Sequence, residues 1–118
     1  HINHPSAVWA RESVANYVWL YNLFKKLCDE YTHRYGKIHS TDSLLRDLLS
    51  TPPKNIKEGG LTTMPQAMPE HCKIKGNPVA SYRKYYIIEK RRFAKWKSPA
   101  KTPQWFLDGI SQQQEVNI

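Results

Sequence analysis

A chain of 118 residues, 40% hydrophobic and 24% charged, is sized for one domain and excludes a multidomain enzyme. Eighteen Lys and Arg against ten Asp and Glu give a formal net charge of +8 and a pI near 9.6, so polyanions, nucleic acid first, head the partner classes. The best apolar stretch, residues 14–27, is interrupted by Asn16, Asn22, Lys25 and Lys26 and falls short of the about 20 apolar residues that a membrane span needs.

No secretory signal pattern opens the chain, and a cytoplasmic location without a membrane partner is expected. Four Trp and seven Tyr are more than a disordered basic tail carries, so a packed core is expected. The chain begins at His1 rather than Met, which reads as a fragment lacking its N-terminal portion.

In chain order, residues 5–11 form a short helix with Pro5 at its first position. Residues 13–35 carry the clearest helical pattern. Tyr17, Leu20, Phe24, Leu27, Cys28, Tyr31 and Tyr35 fall on one side and Asn22, Lys25, Lys26, Asp29 and His33 on the other. Ser13 is the N-cap and Gly36 the stop. A second helix follows the potential caps Ser40, Thr41, Asp42 and Ser43, with Leu44, Leu45, Leu48 and Leu49 at helical spacing, and Pro52-Pro53 ends it. Residues 51–77, with several prolines and Gly59-Gly60, read as a long ordered loop of the kind that is often functional.

Asn77 and Pro78 open a third helix that the pattern carries to Trp96, where Ser98-Pro99 stops it. Trp105 and Phe106 then dock on the core. The expected architecture is all-α, with three main helices and a long loop between the second and third. It forms a single helical domain over residues 1–106 with a polar tail over 107–118.

Five of the eight net charges lie after residue 77. On the third helix as read here, Arg91, Lys84 and Lys95 cluster between about 120 and 160 degrees from Val79, opposite an arc of Tyr82, Tyr85, Tyr86, Phe93 and Trp96. That arrangement joins an aromatic face to the core and lays a basic face along a phosphate backbone. Arg83, Lys84, Arg91 and Lys95 are the phosphate candidates, and Tyr85 and Trp105 the stacking candidates. A solvated charged face is the plainer reading of the same residues. Glu89 falls on the aromatic arc, where a carboxylate is desolvated unless a Tyr hydroxyl or an Arg satisfies it. Arg11 and Glu12, beside Trp9, read either as an ion pair or as groups that meet a nucleotide. Glu89, Arg11 and Glu12 are thus the catalytic candidates.

Two cysteines, Cys28 and Cys72, without a CxxC read as reduced thiols; a disulfide, a mixed site such as His71 with Cys72, or a Cys72–His nucleophile pair are the alternatives. No HExxH, EF-hand, GxSxG, Walker or GxGxxG pattern occurs, so neither a metal nor a cofactor is expected.

His4-Pro5 with Trp9, Glu30-Tyr31-Thr32 with Arg34-Tyr35-Gly36, Gln66-Ala67-Met68-Pro69, Tyr82-Arg83 with Tyr85-Tyr86, Glu89-Lys90 and Trp105-Phe106 form a set spread over residues 3–106. In these residues the chain resembles a family of small bacteriophage proteins. That family is distantly similar to pyrimidine-dimer DNA glycosylases of the phage endonuclease V type: small, basic, all-helical enzymes that flip a base and cleave through a Schiff base on an N-terminal amine, with a glutamate assisting. Tyr82-Arg83-Lys84-Tyr85-Tyr86 is similar to the aromatic and basic segment that engages damaged DNA in those enzymes. The resemblance implies DNA binding, a place in a DNA glycosylase or base-modification enzyme, the host cytoplasm as location, and a catalytic amine and glutamate in a preceding region. The contrasting reading is a helical protein–protein interaction or homodimerisation module without catalytic activity, resting on the broad apolar arc of the long helix.

Overall fold

In a computed structural model that describes residues 1–116, with side chains to residue 113, the chain is all-α. Its helices are α1 (Pro5–Ala10), α2 (Val14–Tyr35), α3 (Ser40–Leu45), α4 (Pro78–Ile88) and α5 (Gln104–Val116). Single 3-10 turns form at Leu48–Ser50 and Glu70–Cys72, and there is no strand among the described residues. No helix among them is long and apolar enough to cross a membrane. The contacts divide the chain into two compact units, His1–Pro65 and Gln66–Ile118.

In the first unit the ends of α1 and α2 are set by local chemistry. His4 Nδ1 accepts from the Ser6 N–H at 3.1 Å and Pro5 occupies the first turn of α1. Ser13 Oγ accepts from the Asn16 N–H at 3.1 Å, and Gly36 ends α2 at φ 66°, a left-handed conformation that costs an L side chain about 1–2 kcal/mol. The apolar stripe is only partly inward: Cys28 is buried, whereas Leu27 and Tyr35 are exposed. Trp9 is buried and meets Trp19 edge-on at 5.7 Å.

Asn16 is the fully buried hub of this unit. Its Nδ2 donates to the Trp9 carbonyl and to Thr62 Oγ1, both at 2.9 Å, and its Oδ1 accepts from the Thr62 N–H at 3.0 Å. Ser13 Oγ donates to the Gly60 carbonyl, and Trp9 Nε1 donates to the Thr62 carbonyl. The loop around residues 60–62 is therefore stitched to α1 and α2 by hydrogen bonds rather than by apolar packing.

The helix expected through Leu49 is shorter. Its cap is His39, whose Nδ1 accepts from the Thr41 N–H, and α3 ends at Leu45, leaving Leu44 and Leu48 exposed. Past Leu45 the helical bonding is diverted: the Ser50 N–H, which a continuing helix would give to the Arg46 carbonyl, goes to the Asp47 carbonyl at 3.2 Å, and without an N–H Pro53 gives the Leu49 carbonyl no helical donor. Tyr17 Oη donates to that carbonyl instead at 2.8 Å, and Tyr21 Oη donates to the Arg46 carbonyl at 2.6 Å. Two phenols of α2 thus terminate the second helix and tie it down.

Arg46 completes the tie. It grips Asp42 through Nε at 2.5 Å and Nη2 at 3.2 Å, and reaches Asp29 on α2 at 2.7 Å. The hydrogen bond from Arg46 holds the Asp42 carboxyl below its ordinary value of 3.8. A carboxyl lowered in the folded state stabilises above its unfolded pKa, and that contribution is lost as pH falls through the folded value. Urea midpoints measured at neutral pH and near pH 3 should therefore fall on acidification in the native chain and fall less in Asp42→Asn. Equal acid sensitivity of the two proteins would exclude this origin.

In the second unit, Asn77 Oδ1 accepts from the Ala80 N–H at 3.1 Å and Pro78 opens α4 as expected. The helix stops at Ile88, not Trp96. The Glu89 and Lys90 N–H groups both turn back to the Tyr85 carbonyl, and the chain then folds over so that Trp96 lies 5.0 Å from Phe106 of α5. Two further helical turns would carry Trp96 about 12 Å along the axis, away from that contact. Packing overrides propensity here. Phe106 is buried, as its docking role requires.

The expected polar tail is helical over most of its length: α5 continues from Gln104 to Val116, and only residues 117–118 of that tail lie outside the described residues. Gly109 makes the packing of α5 on α4 possible. A Cβ built there would lie 2.2 Å from Ile87 Cδ1 and 2.7 Å from Ile87 Cγ1, so only glycine admits the approach.

Candidate functional site

The aromatic and basic residues singled out in the sequence are largely gathered in the second unit. That unit holds ten Lys and Arg against four Asp and Glu, a net of +6 within the total of +8. Arg83 projects from α4 so that its guanidinium lies 5.3 Å from the centroid of the Trp105 ring on α5, within cation–π range. Trp105 meets Phe106 edge-on at 5.8 Å, which fixes the indole against the core. Arg83, Lys84, Trp105, Asn77, Gln112 and Gln113 line an open groove of about 480 Å³ between α4 and α5. Arg83 is exposed, whereas Lys84 and Trp105 are half-buried.

The remaining candidates are placed differently. Arg91 and Lys95 follow the end of α4, exposed on the turn segment, so the single basic helix face read from the sequence is not formed. Tyr85 is half-buried, 6.4 Å from Tyr86, and the Lys90 ammonium lies 5.3 Å from its ring. Arg92 similarly covers Phe93 at 4.8 Å. The segment therefore alternates rings with cations in space as well as in sequence.

Glu89 is not desolvated. Because α4 ends just before it, its carboxylate turns outward, retains 41% exposure, and accepts from His71 Nε2 at 2.5 Å rather than from a Tyr or Arg of α2. Arg11 and Glu12 lie in the first unit at the end of α1, both exposed, and Arg11 Nη1 donates to the Ile2 carbonyl at 2.7 Å. Glu89 stands in the other unit, so neither unit assembles the three catalytic candidates. Trp9 beside them is a core residue, hydrogen-bonded through its indole, and offers no free face for stacking.

Comparison with known protein families, characterised proteins and solved structures yields no match. The chemistry of the site therefore rests on its own residues.

One feature was silent in the sequence and a second was only half visible. Ser81, fully buried at the first turn of α4, accepts at Oγ from the Ile74 N–H at 2.8 Å and lies 2.9 Å from Gln66 Oε1 and 2.7 Å from the Asn77 carbonyl. Gln66 Nε2 in turn donates to the Ile74 carbonyl. A single hydroxyl thus clamps residues 66–77 onto α4, and with them the Glu70–Cys72 turn.

The clamp brings a second group together. His71, Cys72 and Glu89 place one donor atom each within 4.8 Å of the others. Cys72 is fully buried, and burial, reinforced by the Glu89 charge, pushes its thiol above the ordinary value. A thiol held neutral in this way is a poor free nucleophile. The sequence offered His71-Cys72 as a pair, but only the end of α4 supplies the carboxylate.

Proposed function

We propose that the chain is a DNA-binding protein whose second unit meets the nucleic acid across the α4–α5 groove. Arg83, Lys84, Arg91 and Lys95 contact phosphates, and Trp105 and Tyr85 stack on bases. The observation that carries the reading is the Arg83 guanidinium held over Trp105 at the edge of an open groove, in a unit with most of the net charge. A planar cation on an indole offers charge and a flat face at one point, the combination that single-stranded or flipped bases require. The resemblance to a family of small phage proteins, itself distantly similar to glycosylases of the endonuclease V type, points to the same class of ligand, and a role in base repair or modification is the finer form of this proposal.

The test is a fluorescence-polarisation titration of labelled duplex and single-stranded DNA at two salt concentrations. If all four cations engage duplex phosphates, log affinity should fall against log salt with a slope near −3.6, at about −0.9 per phosphate. No binding at low salt would overturn the reading.

One observation favours the alternative of a helical interaction module. Trp19, Leu23 and Leu27, spaced by one turn along α2, are 37%, 46% and 67% exposed. In light scattering, a dimer indifferent to DNA and salt would support that alternative.

A further inference from the structure

We propose that His71, Cys72 and Glu89 form a binding site for a zinc-class divalent transition-metal ion. The three residues supply one imidazole nitrogen, one sulfur and one carboxylate oxygen, the donor set of borderline-soft cations and not of calcium or magnesium. Their donor atoms lie within 4.8 Å of one another. In a tetrahedral zinc complex, donor atoms stand about 3.3–3.6 Å apart. Reaching that geometry takes rotamer adjustments that part the His71 and Glu89 donors from their 2.5 Å hydrogen bond and draw the wider separations in, and both side chains, 57% and 41% exposed, have the room for it.

The backbone beneath the donors is already fixed. The Cys72 N–H donates to the Pro69 carbonyl and the Lys73 N–H to the Glu70 carbonyl, both at 3.0 Å, closing the turn that carries His71 and Cys72. Ser81 and Gln66 bind the following residue, Ile74, to α4, the helix whose end bears Glu89. Both segments of the site therefore share one support, which reduces the ordering cost of coordination.

Charge also balances. A thiolate, a carboxylate and a neutral imidazole around a dication sum to zero, and Lys73, the nearest cation in sequence, is engaged by Glu70 at 2.7 Å. Lys84 acts on Cys72 from α4, but two anionic ligands outweigh its single charge. On binding, the Cys72 S–H proton passes to solvent and a metal–sulfur bond forms. If Nε2 is the ligand atom of His71, the ring proton moves to Nδ1 and the hydrogen bond to Glu89 is replaced by two metal bonds. A fourth position remains for water, as in zinc sites that are not closed. The site does not depend on the nucleic-acid reading, since none of its residues is a proposed DNA contact.

The experiment is titration of the full chain with Co²⁺ under a non-thiol reductant, followed by displacement with Zn²⁺. The expected result is one cobalt per chain, a thiolate-to-cobalt charge-transfer band in the near ultraviolet, and loss of that band on adding one equivalent of zinc. Cys72→Ser should abolish the band and Cys28→Ser should retain it. His71→Ala and Glu89→Gln, both at exposed positions that leave the core intact, should weaken affinity at least tenfold. Absence of a thiolate band in the native chain overturns the proposal. So does a band that survives Cys72→Ser, or affinity within twofold of native in both His71→Ala and Glu89→Gln.

Discussion

Asn16→Ala should lower the unfolding free energy by about 3 kcal/mol, more than a hundredfold in the folding equilibrium, measured by urea denaturation. The substitution removes a side chain that is fully buried and makes three hydrogen bonds, to the Trp9 carbonyl, Thr62 Oγ1 and the Thr62 N–H. The Trp9 carbonyl would be left without its donor in a buried site, at about 1–3 kcal/mol, while exposed Thr62 regains part of its bonding from water and the lost packing of the side chain adds to the cost. Asn16→Asp separates hydrogen bonding from packing. Aspartate has nearly the same shape and still accepts from Thr62, but it turns an acceptor towards the Trp9 carbonyl and buries a charge. It should therefore destabilise at least as much as alanine. A cost below about 1 kcal/mol for either variant would show that the loop around residues 60–62 is held by something else.

Trp105→Ala should weaken single-stranded DNA binding by about 10- to 100-fold, in line with about 1–3 kcal/mol per stacked base. It should leave the salt slope almost unchanged, because no phosphate contact is removed. Arg83→Ala should do the reverse in part, reducing the slope by about 0.7 as one phosphate contact is lost from a single strand. Arg83→Lys restores the charge without the planar guanidinium, so it should recover the slope and not the full affinity. Trp105 also packs against Phe106, so the circular dichroism spectrum and thermal midpoint of each variant must accompany the titration. If Trp105→Ala remains folded and binds single strands as tightly as the native chain, stacking on this ring is wrong.

The parts of the fold legible in the sequence are those fixed within a few residues. Ser13, Gly36, Asn77 and Pro78 mark helix ends because capping is settled by the neighbouring backbone, and each stands where the pattern puts it. The end of α4 was not legible, since it depends on Trp96 meeting Phe106, ten residues further on. The helical continuation of α5 was hidden by its polar surface and by Gly109, which reads as a breaker until Ile87 is seen beside it. The candidate sites divide along the same line. His71 and Cys72 are adjacent in the chain and visible as a pair, but Glu89 joins them only because the helix ends where it does. Arg83 and Trp105 were each marked, while their stacking belongs to the packing of α4 on α5.

The interlock of Gly109 with Ile87 has a consequence for how this chain can change. The two positions share one volume: a methyl group gained at residue 109 has room only if residue 87 gives up carbon, as in Ile87→Ala, since valine would keep the Cγ1 that stands 2.7 Å away. Neither position is free to drift alone. Both positions also line the groove that holds Arg83 and Trp105, so the close fit of a half-buried isoleucine on a glycine sets the spacing of the polar and aromatic groups beside it.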